Sequence, residues 1–475
     1  MEINNWMVQI EHLVGSIDHG EVQTYSICTI PDELREPKKD AYIPKLVSVG
    51  PLHRGATRQL DLMEEPKLRY LKNFLQRQGS LEEGVESASM LGDRLSRCGI
   101  DVLNMDTVIR ACYGGDLKLG SHELTKIMMV DGCFLLEFLL RLEDYLSLQQ
   151  EERDKKYSED PFFAKEKKVI SVLNDVTMME NQIPLVVLKK LYRKVYHNGS
   201  EMKDDHQVVN LVRRTFGYQP QNNSCAAHIL HLMHSFTVHQ GQQIQKGVKP
   251  ACKELKRCAT TLLAAGISII PTASSNSNAG NNGNIFVDKF DFHIIFNSKD
   301  AVLEIPPLLI KKTTEVRWRN LIALEQTRIW IRCKYTSYAL FFRGLICCKH
   351  DIEWLEKKGV IVNESNMSNE ELLKMFRSLS KGAEHMDSSY SELCERLNKQ
   401  RVKQVTQVLL GLITIIWHYC WRFLEVTMFY LRNSYRILIR DHIPTVWKFL
   451  AVVAATALLI LTIMQTYYSS GSSGK

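Results

Sequence analysis

No two cysteines in this chain are separated by two residues, and the twelve present follow no repeating spacing. A small disulfide scaffold or a CxxC metal or redox centre depends on such spacing, because thiols must converge to react or to ligate. Cys133, Cys333, Cys347 and Cys420 stand among apolar neighbours, as buried free thiols do. Cys252 and Cys258, six apart, and the adjacent Cys347 and Cys348 fit no framework. A reducing compartment follows. An excess of one charge is also missing: 60 Lys and Arg against 53 Asp and Glu leave +7 over 475 residues. That balance gives no footprint for nucleic acid, and none is expected as a partner. There is no P-loop, Gly-rich dinucleotide turn, HExxH or GxSxG. The opening MEINNWMVQIEHLVGSI has no basic start, and Gln9, Glu11 and His12 interrupt its apolar residues, so no secretory signal is expected.

What is present is the composition of a folded protein, 45% hydrophobic and 24% charged. From Phe449 to Tyr468 the chain runs twenty residues without a charge. As a helix it reaches about 30 Å, the depth of a bilayer's hydrocarbon core. Trp447 flanks one end and Tyr467 and Tyr468 the other, where amphipathic rings favour the interface. Arg432, Arg436, Arg440 and Lys448 precede this stretch and only Lys475 follows it, which predicts a tail-anchored, single-pass protein with a cytosolic body. A second uncharged stretch, Val408 to Trp421, is short for a span and ends at Arg422 and Glu425. It predicts an apolar-faced helix, packed on the body or lying at the membrane surface, the alternative being a second crossing that would put both termini on one side.

Residues 1–57 read as an irregular leading segment with a short helix near its start, because Pro31, Pro37, Pro44 and Pro51 forbid a long one between them. A helical body with one small antiparallel ribbon is expected over 58–440. Apolar spacing predicts helices from about Leu60, over Thr125–Leu148, Lys168–Asn181, Pro184–Tyr196, Gln207–Gly217, His228–Val238 and Pro250–Gly266. Residues 150–168 read as a charged loop. β-branched and aromatic residues over 267–306 predict two or three antiparallel strands, with a polar loop at 274–284 and a turn at Asn297–Asp300. Helices resume from Thr314 to Lys349, then near Asn369, where Ser368 and Glu371 form a capping box. A long helix from Ser388 to Leu431 leads to the anchor at 449–468, and 469–475 form a flexible tail.

Six blocks in order resemble a plant family catalogued as domain of unknown function 247. They are Ala41–Arg54 (AYIPKLVSVGPLHR), Met63–Lys67, Met129–Glu137 (MVDGCFLLE), Met179–Pro184 (MENQIP), Leu303–Pro306 and Arg319–Gln326. The resemblance covers almost the whole chain; Met179 replaces the family's usual Leu, and 273–284 match poorly. It implies an α-rich fold, plant origin, a membrane anchor and no assigned activity. For some grass members it implies a part in pollen self-incompatibility.

Each block also has a structural reading. Gly50-Pro51 makes a turn, with His53 bonded to local backbone. Glu64 and Lys67 pair on one helix face. Asp131 and Glu137 act as acid and base only if a cleft joins them, and otherwise cap backbone groups or bind Arg. Asn181 and Gln182 satisfy N–H groups at the helix start after Pro184. Glu325, Gln326, Arg319 and Asn320 join in one buried polar network that fixes helix positions. His228, His231 and His234 diverge on a helix, which suits a packed edge better than zinc. Cys133 with His53 is a conceivable nucleophile pair, but its Phe and Leu neighbours predict an inert thiol. Asn198, Asn222, Asn363 and Asn366 open N-x-S sequons that matter only outside the cytosol.

The sequence therefore predicts a mainly α-helical membrane protein, its lipid contact through 449–468. Its function reads as recognition of another protein or a signalling ligand. The alternative is a hydrolase or transferase using Asp131, Glu137 and His53 or Glu325. No catalytic, cofactor or metal residue is assigned.

Overall fold

A computed structural model describes residues 26–77, 85–196, 201–218, 226–238, 254–272, 286, 290–328, 331–384, 387–400, 405–437 and 446–471. The expected helix near the start, the polar loop at 274–284, Asn198 and Asn222 lie outside them. The chain divides into two units. One holds Met1–Leu263 and Ile267–Arg401, the other Ala264–Gly266 and Val402–Lys475.

In the first unit the prolines act as expected. Pro31 precedes the four-residue helix α1 (Asp32–Arg35), Pro37 opens a 3-10 turn (Glu36–Ala41), and Tyr42 to Gly50 forms no helix or strand. Helices α2 (Arg58–Asp61), α3 (Glu64–Gln76), α4 (Val85–Leu103) and α5 (Asp106–Ala111) lead to α6 (Ser121–Ser147). Helix α6 is apolar on most sides and buried accordingly. A Cβ on Gly132 would sit 2.5 Å from Leu191 Cδ1, so the missing side chain lets α9 (Leu185–Val195) approach.

Residues 150–156 form helix α7 (Gln150–Lys156) where a loop was expected. It buries no side chain, so apolar periodicity had nothing to register. Its ends instead carry Glu151 and Glu152 first and Arg153, Lys155 and Lys156 last, each facing the favourable end of the dipole. Helix α8 (Glu166–Asp175) stops six residues short of Asn181, and 176–184 turn instead. Helices α10 (Glu201–Thr215) and α11 (Ile229–Thr237) follow α9, and among the described residues 254–266 of the helix expected over 250–266, α12 covers only Ala259–Ala264.

The strands make a mixed sheet, not an antiparallel ribbon. β2 (Ile295–Asn297) and β3 (Val302–Ile305) are antiparallel around the expected turn, but β1 (Ser268–Pro271) pairs parallel with β3. A separate parallel pair joins β4 (Leu308–Ile310) to β5 (Ile361–Asn363). Between them lie α13 (Thr314–Thr327), α14 (Lys334–Leu345) and α15 (Lys349–Lys357). Helix α16 (Asn369–Ser378) begins at the predicted capping box: Glu371 accepts the Ser368 N–H at 2.7 Å while Ser368 Oγ accepts the Glu371 N–H at 3.3 Å. The long helix expected from Ser388 is broken. α17 (Ser391–Lys399) ends at Gln400, whose ψ of 114° is not helical. α18 (Val405–Ile437) and α19 (Val446–Gly471) belong to the second unit.

The first unit has two apolar cores. Tyr70, Phe74, Phe134, Phe138 and Leu188 belong to one; Leu303, Trp318, Leu321, Tyr338 and Phe342 belong to the other. The leading segment feeds both, giving Ile27, Leu46, Val47 and Val49 to the first and Ile30, Leu34 and Tyr42 to the second. Met179 and Ile183 divide in the same way. Main chain that crosses such a seam brings peptide groups into an apolar interior, and these need partners.

Candidate functional site

Between Lys45 and Gly50 those partners are side chains. Asp175, at the end of α8, accepts the N–H groups of Lys45 at 2.9 Å, Leu46 at 2.7 Å and Val47 at 2.9 Å. Asn181 accepts the Val49 N–H at 2.7 Å and donates to the carbonyls of Val47 at 3.0 Å and Asp175 at 2.9 Å. Asp131 of α6 accepts the Gly50 N–H at 3.0 Å. Lys67 of α3 donates to the Ser48 carbonyl at 2.5 Å, to Asp131 at 2.8 Å and to Glu64 at 2.6 Å. Burial pushes Asp175 up to about 6, against the pull of its three N–H partners. It also lifts Asp131, with the Lys67 ammonium pulling the other way. Gly50 has φ +80°, and a Cβ there would lie 2.6 Å from the Gln182 carbonyl oxygen. Only glycine fits.

Three further groups tie the seam. Glu180 accepts the Ile30 N–H at 2.8 Å and pairs with Arg35, and His53 Nε2 stands 3.2 Å from its other oxygen. Burial opposes its charge, yet His53, the Ile30 N–H and Arg35 hold Glu180 below the usual carboxylate value. Asn320 of α13 accepts the Met179 N–H at 2.9 Å and donates to the Ala41 carbonyl at 2.9 Å. Gln182 donates to the carbonyls of Val176 at 2.7 Å and Met178 at 2.8 Å, and accepts the Leu230 N–H at 3.2 Å in α11.

The candidate acid–base pair does not meet. Asp131 serves the clamp around Gly50, whereas Glu137 takes Arg77 at 2.6 Å and Arg141 at 2.7 Å. Both carboxylates are buried. His53 turns to Glu180 instead of its local backbone, while Cys133 lies in the core, its thiol raised by burial and by Cys98. Asn181 and Gln182 do not cap α9; they reach the leading segment and α11. The residues of α13 form no single network either. Glu325 accepts the Tyr335 N–H at 2.9 Å and the Thr336 N–H at 2.8 Å, capping α14, and meets His234 at 2.9 Å. Arg319 turns to Glu315 at 2.9 Å and Ser378 at 2.6 Å.

The three histidines have separate tasks. His228 Nε2 contacts the Ser26 carbonyl at 2.9 Å and its Nδ1 accepts the His231 N–H at 3.3 Å. His231 Nδ1 accepts the Ala227 N–H at 3.1 Å and lies 2.9 Å from Arg328, while His234 goes to Glu325. Burial, then the charge of Arg328, presses His228 down to about 3 and His231 to about 2, so both rings are neutral. Cys347, in the bend between α14 and α15, and Cys420, on α18, are exposed, against expectation, since apolar sequence neighbours do not decide which way a thiol faces.

Sequence reasoning missed Asp175, whose partners lie far away in the chain, and Asp351, which joins neighbouring N–H groups to a distant one at Thr260. It also missed a donor set in which Cys258, Cys347 and Asp351 bring ligand atoms within 4.8 Å of one another. Two thiols and a carboxylate are suitable donors for a borderline cation. The carboxylate, however, already accepts the N–H groups of Thr260 at 2.9 Å, Cys347 at 2.9 Å and Cys348 at 3.1 Å. Its evident task is to staple the start of α12 to the start of α15.

The polar residues thus hold backbone in place across a two-core body, and known sequences resemble this chain at low identity. A UPF0481 protein of Arabidopsis thaliana is 25% identical over 378 residues, covering 77% of this chain and 74% of that protein. A putative UPF0481 protein of the same plant is 23% identical over 476 residues, covering 79% of this chain and 82% of its own length. No solved structure matches. The family model for DUF247, plant proteins of unknown function, matches residues 27–461, and the chain belongs to that family.

Proposed function

We propose that this protein is a membrane-tethered recognition module whose helical body binds another protein or a signalling ligand beside the bilayer. The observation that carries the reading is Trp447–Tyr467 within α19: 21 residues of mean hydropathy 2.2, none buried. An unburied helix of that kind leaves its apolar surface in water unless lipid takes it up. Arg432, Arg436 and Arg440 before it and Lys448 at its N-terminal end favour a cytosolic body, at the plasma membrane or an endomembrane. Tethering raises the local concentration of a binding module toward membrane partners without any new contact. The hydrolase or transferase alternative draws no support from Asp131, Glu137 or Glu325, whose oxygens are committed to internal donors.

The test is alkaline extraction of membranes from plant cells carrying the full chain, with proximity labelling from its N-terminus. Retention in the membrane and labelling of cytosolic neighbours are expected. Release by alkali ends the tethering reading, and labelling of lumenal or apoplastic proteins alone reverses the orientation.

A further inference from the structure

Helix α18 gathers its polarity on one narrow arc. Gly411, Thr414, His418, Arg422, Glu425 and Arg432 follow one another at steps of three, four, four, three and seven residues. At 3.6 residues per turn they share an arc of about 80°. Phe429 is the one large apolar residue inside it. The remaining arc, about 280° by the same geometry, carries Ile413, Trp417, Phe423, Leu424, Tyr430 and Leu431, each between 55 and 70% exposed.

A helix on a protein surface hides an apolar stripe of about 100° or somewhat more. An arc nearly three times as wide needs surroundings on several sides at once, which lipid supplies. A span is the wrong geometry, because Arg422 and Glu425 stand mid-helix and 33 residues extend about 50 Å against a core of about 30 Å. Trp417, Tyr419, Trp421, Tyr430 and Tyr435 are spread along the helix and do not collect at two ends, as a helix lying in the interface requires. Thr427, outside the polar arc, donates its hydroxyl to the Phe423 carbonyl at 2.8 Å, which suits an apolar setting. Arg422, Arg432 and, one turn further on the same arc, Arg436 outnumber Glu425 on the stripe and favour negative headgroups.

We propose that α18 lies along the bilayer surface, its broad aromatic face in the acyl boundary and its polar stripe toward water, on lipid bearing anionic headgroups. The proposal rests on α19, which begins after eight intervening residues, entering the same bilayer. It makes the membrane a binding surface for the protein as well as a point of attachment.

The test uses the full chain in phosphatidylcholine–phosphatidylserine vesicles, with an environment-sensitive fluorophore at one position at a time along 412–431 and at Ile460 in α19. Lipid-borne quenchers at graded depths and a soluble quencher report where each site lies. Sites Ile413, Trp417, Leu424 and Leu431 should be quenched from one shared shallow depth, and Thr414, His418 and Glu425 by the soluble agent. Moving to phosphatidylcholine alone should shift the apolar sites toward water, and Leu424→Glu with Leu431→Glu should release α18 while Ile460 stays in lipid. Depth that changes steadily from 412 to 431 overturns the proposal in favour of a span. Apolar sites reached by no lipid quencher while Ile460 is reached overturn it in favour of a protein partner. An Ile460 site that lipid does not reach removes the tether and the proposal together. Equal depth in both vesicle types removes the anionic preference.

Discussion

Replacing Asn181 with aspartate alters the amide NH₂ and little else in shape, yet it removes both donations that this side chain makes. The Val49 N–H still finds an acceptor, but the Val47 and Asp175 carbonyls, at 3.0 and 2.9 Å, now face an oxygen. The site is 1% exposed, so water does not replace what is lost. The Asp175 carbonyl keeps the Met178 N–H at 3.2 Å, so one orphaned buried acceptor at about 1–3 kcal/mol and one lost hydrogen bond at about 0.5–1.5 kcal/mol put the loss at about 1.5–4.5 kcal/mol, a large share of an ordinary domain's stability. The new carboxyl, ringed by carbonyls, titrates above its unfolded value. The folded state then holds more protons than the unfolded state through that window, so stability falls as pH rises and returns as pH falls. One acid O–H restores one of the two bonds. Asn181→Ala, which orphans the Val49 N–H and the Val47 carbonyl, gives a loss without that recovery. The assay is urea unfolding of the full chain in mild detergent from acid to neutral pH, reading each variant's gap to the parent. A gap for N181D below about 1 kcal/mol, or one that does not narrow in acid, refutes the clamp.

Gly50→Ala should cost about 2–4 kcal/mol, from left-handed strain plus the Gln182 carbonyl 2.6 Å away, whereas Gly55→Ala, at φ +71° with nothing within 4 Å, should cost only about 1 kcal/mol of strain; the same urea titration compares them. His228 and His231, held near 3 and 2, must gain protons to unfold in acid. Their contribution is intact above about pH 6.5 and is lost as pH falls, on the order of 2 kcal/mol per ring by pH 5. A double His228→Asn, His231→Asn variant should flatten that slope, and an unchanged slope counts against buried neutral rings. Ser368→Ala should remove about 1 kcal/mol through the cap of α16, measured by thermal unfolding, and an effect near zero would mean that Glu371 suffices alone.

The elements legible in the sequence are those whose signal is local. The capping box at Ser368 needs four adjacent residues, α9 begins behind its proline, and α6 and α19 announce themselves by length and apolarity. Helix α7 escaped because it buries nothing, and α8 appeared too long because apolar residues continue past Asp175 into the turn. The parallel partner of β3 and the pairing of β4 with β5 depend on chain returning from a distance, which periodicity does not encode. The candidate site divides along the same line. That Asp131, Asn181, Asn320 and Glu325 matter was readable from their polarity inside apolar blocks. Their partners were not readable, since each reaches main chain or side chains remote in sequence.

Four side chains from three helices and one turn do for Lys45–Gly50 what a neighbouring strand would do in a sheet. A strand supplies its ladder through main chain and tolerates many sequences. A side-chain ladder instead prescribes an acid at Asp131 and Asp175, an amide at Asn181 and an amine at Lys67, each matched to a particular peptide group. Such a segment therefore acquires dense polar lettering in which each prescribed carboxylate or amide oxygen already accepts an internal donor. Catalysis would need a group held back from that accounting, open to a substrate. Recognition needs only a rigid surface, and a seam locked residue by residue to two cores is well suited to present one.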